Sequence, residues 1–342
     1  MMVKKGITMM LAVGMIATML TGCGNSSTET STKDTAAQTE TSTVAAEAAT
    51  EEPEVAASGE GKLYGITYWC ESDFFKTVAD SISAKAEADG GKAVVVDAQQ
   101  DSTKQIQIIE DFIAQGVDAV FLNPVDRDAV TPALQKLKDA NIPVINFDSS
   151  VAQLDMVNAY VATDNKQAGV LCAEAMIKDL PDGGNIAVLN YPANSACNDR
   201  EQGFLETIEG KGFNIVSTLD AEGTVEKGQT ITSDILQANP DLVAIFGIND
   251  QCGMGAFAAV TTAGVDVKVY GVDGAPEAKT VIAKDDTIYR MTAAQSPIKI
   301  GEECYKVAQT VLNGEEPESF QIDVPAFTID GSNVADYLEG WQ

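Results

Sequence analysis

The sequence predicts an α/β protein built as two doubly wound parallel-sheet lobes joined by a hinge. Three observations carry this expectation. From Lys62 onward, strand-length apolar runs alternate with helical patterns, as they do in βα units that stack into parallel sheets. The alternation runs through two cycles that look like a diverged duplication. Gly116-Val-Asp-Ala-Val-Phe-Leu-Asn-Pro has its counterpart in Asn239-Pro-Asp-Leu-Val-Ala-Ile-Phe-Gly-Ile-Asn-Asp, and Asn141-Ile-Pro-Val-Ile-Asn-Phe-Asp in Val265-Asp-Val-Lys-Val-Tyr-Gly-Val-Asp-Gly. Four of the apolar runs also stop at or beside a short polar side chain: Asn123, Asp148, Asn249 and Asp273. Ligands of open α/β sheets sit at the carboxyl ends of the strands. Two such residues per half describe a polar cleft suited to a small molecule covered in hydroxyls.

The first cycle predicts strands near 63–68, 93–97, 118–123, 143–147 and 158–162, with helices near 74–89, 103–115 and 127–140. In the first helix Phe75, Val78, Ile82 and Ala86 recur at helical spacing. The second cycle predicts strands near 185–190, 213–218, 242–248, 267–272 and 287–293. Its helices fall near 165–179, 199–211, 225–238, 251–263 and 276–284. A further helix over 298–313 carries Ile300, Cys304, Val307 and Val311 on one face and is expected to cross back to the first lobe. A last run near 320–328 then returns towards the second. The N-terminal lobe is expected to comprise 62–163 plus 296–326, and the C-terminal lobe 164–295 plus 327–342.

The segment before Lys62 reads differently. Lys4 and Lys5 precede an apolar stretch from Ile7 to Leu20, the pattern of a secretion signal and too short for a membrane span. It ends in Leu20-Thr21-Gly22-Cys23, which resembles a bacterial lipobox. That resemblance implies a lipoprotein signal peptide over 1–23, removal of the residues before Cys23, and lipidation of its thiol. Residues 24–61 are rich in Ser, Thr, Ala and Glu, with almost no large apolar side chains. Such a stretch buries too little surface to offset its ordering entropy, so a disordered acidic linker is expected.

Composition narrows the function. The chain has 342 residues, 45% hydrophobic and 21% charged, with a formal net charge of -29. The length allows two domains, and the acidity disfavours nucleic acid as a partner. Without a single histidine, Ser-His-Asp and Cys-His catalysis are excluded and the commonest zinc ligand is missing. The six cysteines form no CxxC pair, so neither a zinc ribbon nor a thioredoxin-like motif is offered. No metal or cofactor is expected. Cys172 and Cys304 lie on apolar helical faces and read as buried thiols. Cys70, Cys197 and Cys252 fall near cleft loops, where pairing stays open.

Seven motifs recur in a familiar order: Asp73-Phe74-Phe75, Leu122-Asn123-Pro124-Val125-Asp126, Phe147-Asp148, Asp199-Arg200-Glu201-Gln202-Gly203-Phe204, Ile248-Asn249-Asp250, Gly271-Val272-Asp273-Gly274 and Ala294-Gln295. The set, spanning 62–326, resembles the ribose/galactose-type periplasmic binding proteins, the solute-binding subunits of sugar ABC transporters. The resemblance implies the type I periplasmic-binding-protein fold and a hinge-closing receptor for a monosaccharide or sugar-like polyol. It further implies a membrane permease as partner, a monomeric protein, and no chemistry on the ligand. Together with Cys23 it implies secretion and lipid anchoring at the outer face of the bacterial cytoplasmic membrane.

Carried over position by position, Ser72, Phe74 and Phe75 line the first lobe's side of the cleft, while Asn123 and Asp148 bond hydroxyls. Arg200, Asn249 and Asp273 do so from the second lobe, and Gln295 acts at a hinge crossing. The chemistry is consistent: aromatic faces suit sugar C–H faces, and fork-shaped groups suit the hydroxyl rim. Plainer roles stay open. Phe75 fits the core of its helix, Asn123 before Pro124 fits a cap, and Asp273-Gly274 fits a turn. Arg200 fits a surface pair with Asp199 or Glu201.

Three positions depart from the family's pattern. Ser149 stands where an arginine is common, Gly223 stands near a usual aromatic, and Tyr68-Trp69 replace smaller residues. Tyr68 or Trp69 is expected to supply a stacking wall or to pack in the core. These departures also keep open a receptor for a sugar or autoinducer that feeds chemotaxis or a sensor kinase.

Overall fold

In the computed structural model, residues 61–342 are described. Cys23, the signal-like segment and nearly all of the acidic stretch lie outside them.

The first cycle runs β1 (Leu63–Tyr68), α1 (Asp73–Ala88), β2 (Lys92–Asp97), α2 (Ser102–Gln115), β3 (Ala119–Leu122), α3 (Thr131–Asp139), β4 (Val144–Phe147) and β5 (Ala159–Thr163). The second runs α4 (Asn165–Asp179), β6 (Gly184–Asn190), α5 (Ser195–Ile208), β7 (Phe213–Asp220), α6 (Val225–Ala238), β8 (Leu242–Gly247), α7 (Asp250–Ala263), β9 (Lys268–Asp273), α8 (Pro276–Ile282) and β10 (Tyr289–Ala294). The chain ends with α9 (Pro297–Leu312), β11 (Gln321–Val324) and β12 (Phe327–Asp330).

Two six-stranded sheets result, in the orders β2-β1-β3-β4-β5-β11 and β7-β6-β8-β9-β10-β12. Every pairing is parallel except β12 against β10. Both sheets share one winding, and their order reverses beside β1 and beside β6. Around the first sheet, one face packs on α1 and α9 through Val78, Ile82, Ile300 and Cys304. The other packs on α2 and α3 through Ile109, Phe112 and Leu134. The second sheet is buried in one continuous core that includes Cys172, Phe204, Phe246 and Tyr289. Coverage on both faces explains why the strands read as unbroken apolar runs. The chain passes between sheets three times: from β5 to α4, from β10 to α9, and from β11 to β12.

Two element starts differ from the sequence reading by four residues. α5 begins at Ser195, four residues before the expected 199, because Asn194 Oδ1 accepts the Cys197 N–H at 3.2 Å and caps it. α3 begins at Thr131, later than the expected 127, because Asp126 Oδ1 accepts the N–H groups of Asp128 and Ala129 in a turn of its own. The last apolar run is two strands in different sheets, interrupted at Pro325, which has no N–H to give to a ladder.

The five cysteines of the described residues are free thiols, with Cys172, Cys197, Cys252 and Cys304 buried.

Candidate ligand-binding site

The order reversals bring the carboxyl ends of β1 and β3 together in one half and those of β6 and β8 in the other. Such switch points are where open α/β sheets hold ligands. In the first half, Asn123 follows β3 and is wholly buried. Its Oδ1 accepts the Trp69 N–H at 3.2 Å. Its Nδ2 donates to Phe147 O at 3.2 Å and to Asp148 Oδ2 at 3.3 Å. One side chain therefore ties the ends of β1, β3 and β4. Buried Gln105 holds the same turn from α2, donating to Asn123 O and accepting the Val125 N–H, each at 2.8 Å.

Asp148 follows β4 in the left-handed region, at φ 61°, a conformation that Asp tolerates better than most residues. Its backbone carbonyl accepts the Tyr160 hydroxyl at 2.6 Å. Ser149 Oγ donates to Oδ2 at 3.0 Å. Among the described residues both side-chain hydrogen bonds fall on Oδ2, so Oδ1 is an open acceptor. Burial pushes the Asp148 carboxyl above its usual range, against the opposing pull of the Arg200 charge and the Ser149 and Asn123 hydrogen bonds.

Beside this group the aromatic side chains form one cluster. Tyr68 stacks on Phe75 with centroids 5.9 Å apart. Trp69 and Phe74 meet Phe75 edge-on at 6.3 and 5.2 Å. Tyr68, Phe74 and Phe75 are buried and Trp69 is half-buried. Phe75 is thus a core residue of α1. Ser72 caps that helix, its Oγ accepting the Phe75 N–H at 3.3 Å.

The second half is organised around Arg200, which is buried rather than paired with Asp199 or Glu201 on the surface. Close approach of α4 and α5 makes this geometry. A Cβ on Gly169 would sit 1.9 Å from Arg200 O, and one on Gly203 would sit 2.0 Å from Lys166 O, so only glycine fits at either crossing point. With the helices this close, Arg200 Nε donates to Asn165 Oδ1 at 2.8 Å. Nη1 donates to Ile248 O at 3.2 Å and to Asp273 Oδ1 at 3.0 Å. Gln295 Nε2 reaches that same oxygen at 2.8 Å. Asp273 Oδ2 and Arg200 Nη2 carry no side-chain hydrogen bond among the described residues.

Asn249 caps α7, with Oδ1 on the Cys252 N–H at 2.9 Å, and its Nδ2 donates to Gly223 O at 3.1 Å. The amide's second N–H is the group it has left to offer. Asp250, one residue on, is buried and accepts from Tyr289 Oη at 2.7 Å, Thr292 Oγ1 at 3.0 Å and Ala275 N at 2.7 Å. Burial, then the neighbouring Asp273 charge, pushes its carboxyl up to about 7.

The halves meet through two polar seams. Gln295 Oε1 accepts the Thr163 hydroxyl at 2.7 Å, where two of the chain crossings lie side by side. Ser149 Oγ accepts from Asn194 Nδ2 at 3.3 Å, and Ser150 Oγ lies 3.5 Å from Ser195 Oγ.

Sequence reasoning passed over Gln105, Asn165, Thr163, Asp250 and Tyr191. Tyr191 follows β6, and its Cδ1 is 3.4 Å from where a Cβ on Gly223 would lie. An aromatic ring therefore stands beside Gly223 from within the second half, whereas Tyr68 and Trp69 belong to the first-half cluster. The apolar run ending in Asn190-Tyr191 was the available signal, the same strand-end pattern as at the four residues noticed. The described residues contain no group of His, Cys, Asp and Glu side chains arranged to hold a metal ion.

Comparison with known proteins agrees with this architecture. The profile of the periplasmic binding protein domain matches residues 65–316. The ribose import binding protein of Bacillus subtilis is 34% identical over 244 residues, covering 71% of this chain and 79% of that one. An ABC transporter solute binding protein from Mycobacterium smegmatis, solved with bound glycerol, superposes with a TM-score of 0.76 at 31% identity, covering 82% of this chain and 99% of its own. One from Bacillus halodurans, solved with bound myo-inositol, gives 0.75 at 27% identity, covering 83% and 99%. With two like-wound parallel sheets, polar side chains at their switch points and a match over most of its length, the chain belongs to the periplasmic binding protein family, among the solute-binding proteins of sugar ABC transporters.

Proposed function

We propose that this protein captures a monosaccharide or close sugar-like polyol between its two lobes and delivers it to the membrane permease of an ABC transporter. The observation that carries the reading is the set of open valences at the cleft: acceptors at Asp148 Oδ1 and Asp273 Oδ2, donors at Arg200 Nη2 and Asn249 Nδ2, all anchored through their other atoms. Fixed acceptors and donors together match a ring of hydroxyls, each able to give and take one bond. A polar partner left unpaired on burial costs on the order of 1–3 kcal/mol, and selectivity among epimers arises from that cost.

In this reading 62–163 with 296–326 forms one lobe and 164–295 with 327–342 the other, a division supported by sheet membership. The site residues are Tyr68, Trp69, Ser72, Phe74, Phe75, Asn123, Asp148 and Ser149 on one side and Arg200, Asn249, Asp273 and Gln295 on the other. Tyr191 joins the second wall. Several of these act by holding others: Asn123 orients Asp148, Gln295 orients Asp273, and Ser72 fixes the start of α1. Ligand first meets one lobe, and the contacts of the other are gained on closure, so binding shifts the open–closed population by its preference for the closed form. The protein works as a monomer, lipid-anchored through Cys23 outside the cytoplasmic membrane, and performs no chemistry on its ligand. The missing histidine and the engagement of both oxygens of buried Asp250 by three hydrogen-bond donors support that last point.

A thermal-shift screen across pentoses, hexoses, polyols and nucleosides tests the reading, since a ligand that binds only the native state raises the melting temperature. One sugar or polyol should stand out and be recovered unaltered. A flat profile, or turnover of a sugar in excess, would overturn it.

A further inference from the structure

We propose that the C-terminal segment Leu338–Gln342 is a strap that ties the second lobe to the aromatic cluster of the first and so favours the closed form. This rests on the reading of the two halves as lobes that close on a ligand. After β12 the chain is fixed in the second lobe: Ile329 and Val334 are buried in its core, and the Tyr337 ring lies 5.3 Å from Phe327. Four residues later the chain has changed lobes. Trp341 packs against the first lobe's core, its ring 5.5 Å from Phe74 at 78°, an edge-to-face contact.

Between these points the chain turns at Gly340, whose φ of +61° is one that glycine adopts without strain. The turn is gripped by Lys279, a wholly buried side chain on α8. Its Nζ donates to Gly340 O at 2.5 Å and to Gln342 Oε1 at 3.3 Å. A buried ammonium is costly without partners, so the tail and Lys279 order each other. The indole Nε1–H of Trp341 is buried with no acceptor among the described residues. The aromatic contact therefore holds the ring, not a hydrogen bond.

The two ends of the strap meet the two walls of the site. α8 starts three residues after Asp273, and Phe74 sits in the first turn of α1 beside Ser72 and Phe75. Opening of the cleft moves Phe74 away from Trp341, which rides on the second lobe. The contact is thus available only when the lobes are together, and it contributes to closure before any ligand arrives. Trp341 is a positioning residue: it backs Phe74, which in turn faces Phe75.

The test compares small-angle X-ray scattering of the ligand-free full chain with that of Trp341→Ala, Trp341→Phe and Lys279→Met. Trp341→Ala and Lys279→Met should increase the radius of gyration, while Trp341→Phe keeps the parental curve. An aromatic edge-to-face pair supports a shift of about three- to tenfold, so the dissociation constant for D-ribose, used as the probe, should rise by that factor in Trp341→Ala. Superimposable scattering from all four proteins would overturn the strap. A lower melting temperature in Trp341→Ala with unchanged scattering would overturn it too, by reducing the tail to packing of one state. If D-ribose fails to bind the parent, the choice of sugar is what fails, and the ligand-free scattering still decides the strap.

Discussion

The two halves of the candidate site place polar groups at their strand ends by opposite means. The first half is mostly neutral: an aromatic cluster, amides that knit strand ends together, and one carboxylate, Asp148, with no cation bonded to it among the described residues. The second half is ionic, with Arg200 bridging Asn165, Ile248 O and Asp273, and Asp250 beneath them. A duplicated winding thus carries two different electrostatic designs. In the second half the charged groups stabilise one another and the frame around them. In the first, the charge is held by packing and waits for a partner from outside.

That contrast is broken or sharpened by substitution. The largest effect on folding should come from Arg200→Met, which removes the cation beside partly buried Asp273 and the donor of two further acceptors, Asn165 Oδ1 and Ile248 O. Removal of one partner from a buried pair costs about 3–5 kcal/mol, read as a fall in unfolding free energy by chemical denaturation. A loss under about 1 kcal/mol would show that the second half does not depend on its ion pair. Asp148→Asn should do the reverse. Asn accepts the left-handed backbone and fills the same space, so stability should stay within about 1 kcal/mol of the parent. Affinity for the sugar found by screening should fall about a hundredfold, because charge-assisted hydrogen bonds are worth roughly 1.5–3 kcal/mol each. Loss of folding instead would make Asp148 a structural residue.

A third test is one of pH. The Asp250 carboxyl is raised from 3.8 to about 7 in the folded protein, so between those values the native state holds a proton that the unfolded chain has released. Its contribution is therefore fully present below about pH 4 and is lost as pH rises through 7. Relative to Asp250→Asn, the parent should gain stability as pH falls from 7 to 4, measured as the difference in denaturation midpoints. A difference that stays constant with pH would place the proton elsewhere.

Much of this frame was legible in the sequence because burial on both faces of a parallel sheet writes strands as apolar runs. α4 and α6 match the expected 165–179 and 225–238, and their starts are fixed by the N-caps Asp164 and Thr224. The start of α5 was not legible, because Asn194 and Ser195 also suit a loop, and only the bond to the Cys197 N–H decides between them. At the candidate site, strand-end position pointed to Asn123, Asp148, Asn249 and Asp273 but said nothing of what each side chain already holds. Asn249 shows the difference: one residue both caps a helix and ties its strand end to Gly223. Asn165 and Thr163 escaped notice because their partners lie 35 and 132 residues away, at distances no local pattern records.

The thiols carry a last implication. All five described cysteines are unbridged, and burial pushes those of Cys70 and Cys197 up to about 12 and those of Cys172, Cys252 and Cys304 higher still. Sulfur attacks and is oxidised as the thiolate, a form these side chains scarcely populate. The described fold therefore holds no disulfide to make, break or reshuffle, and its melting temperature should be the same with and without a reducing agent.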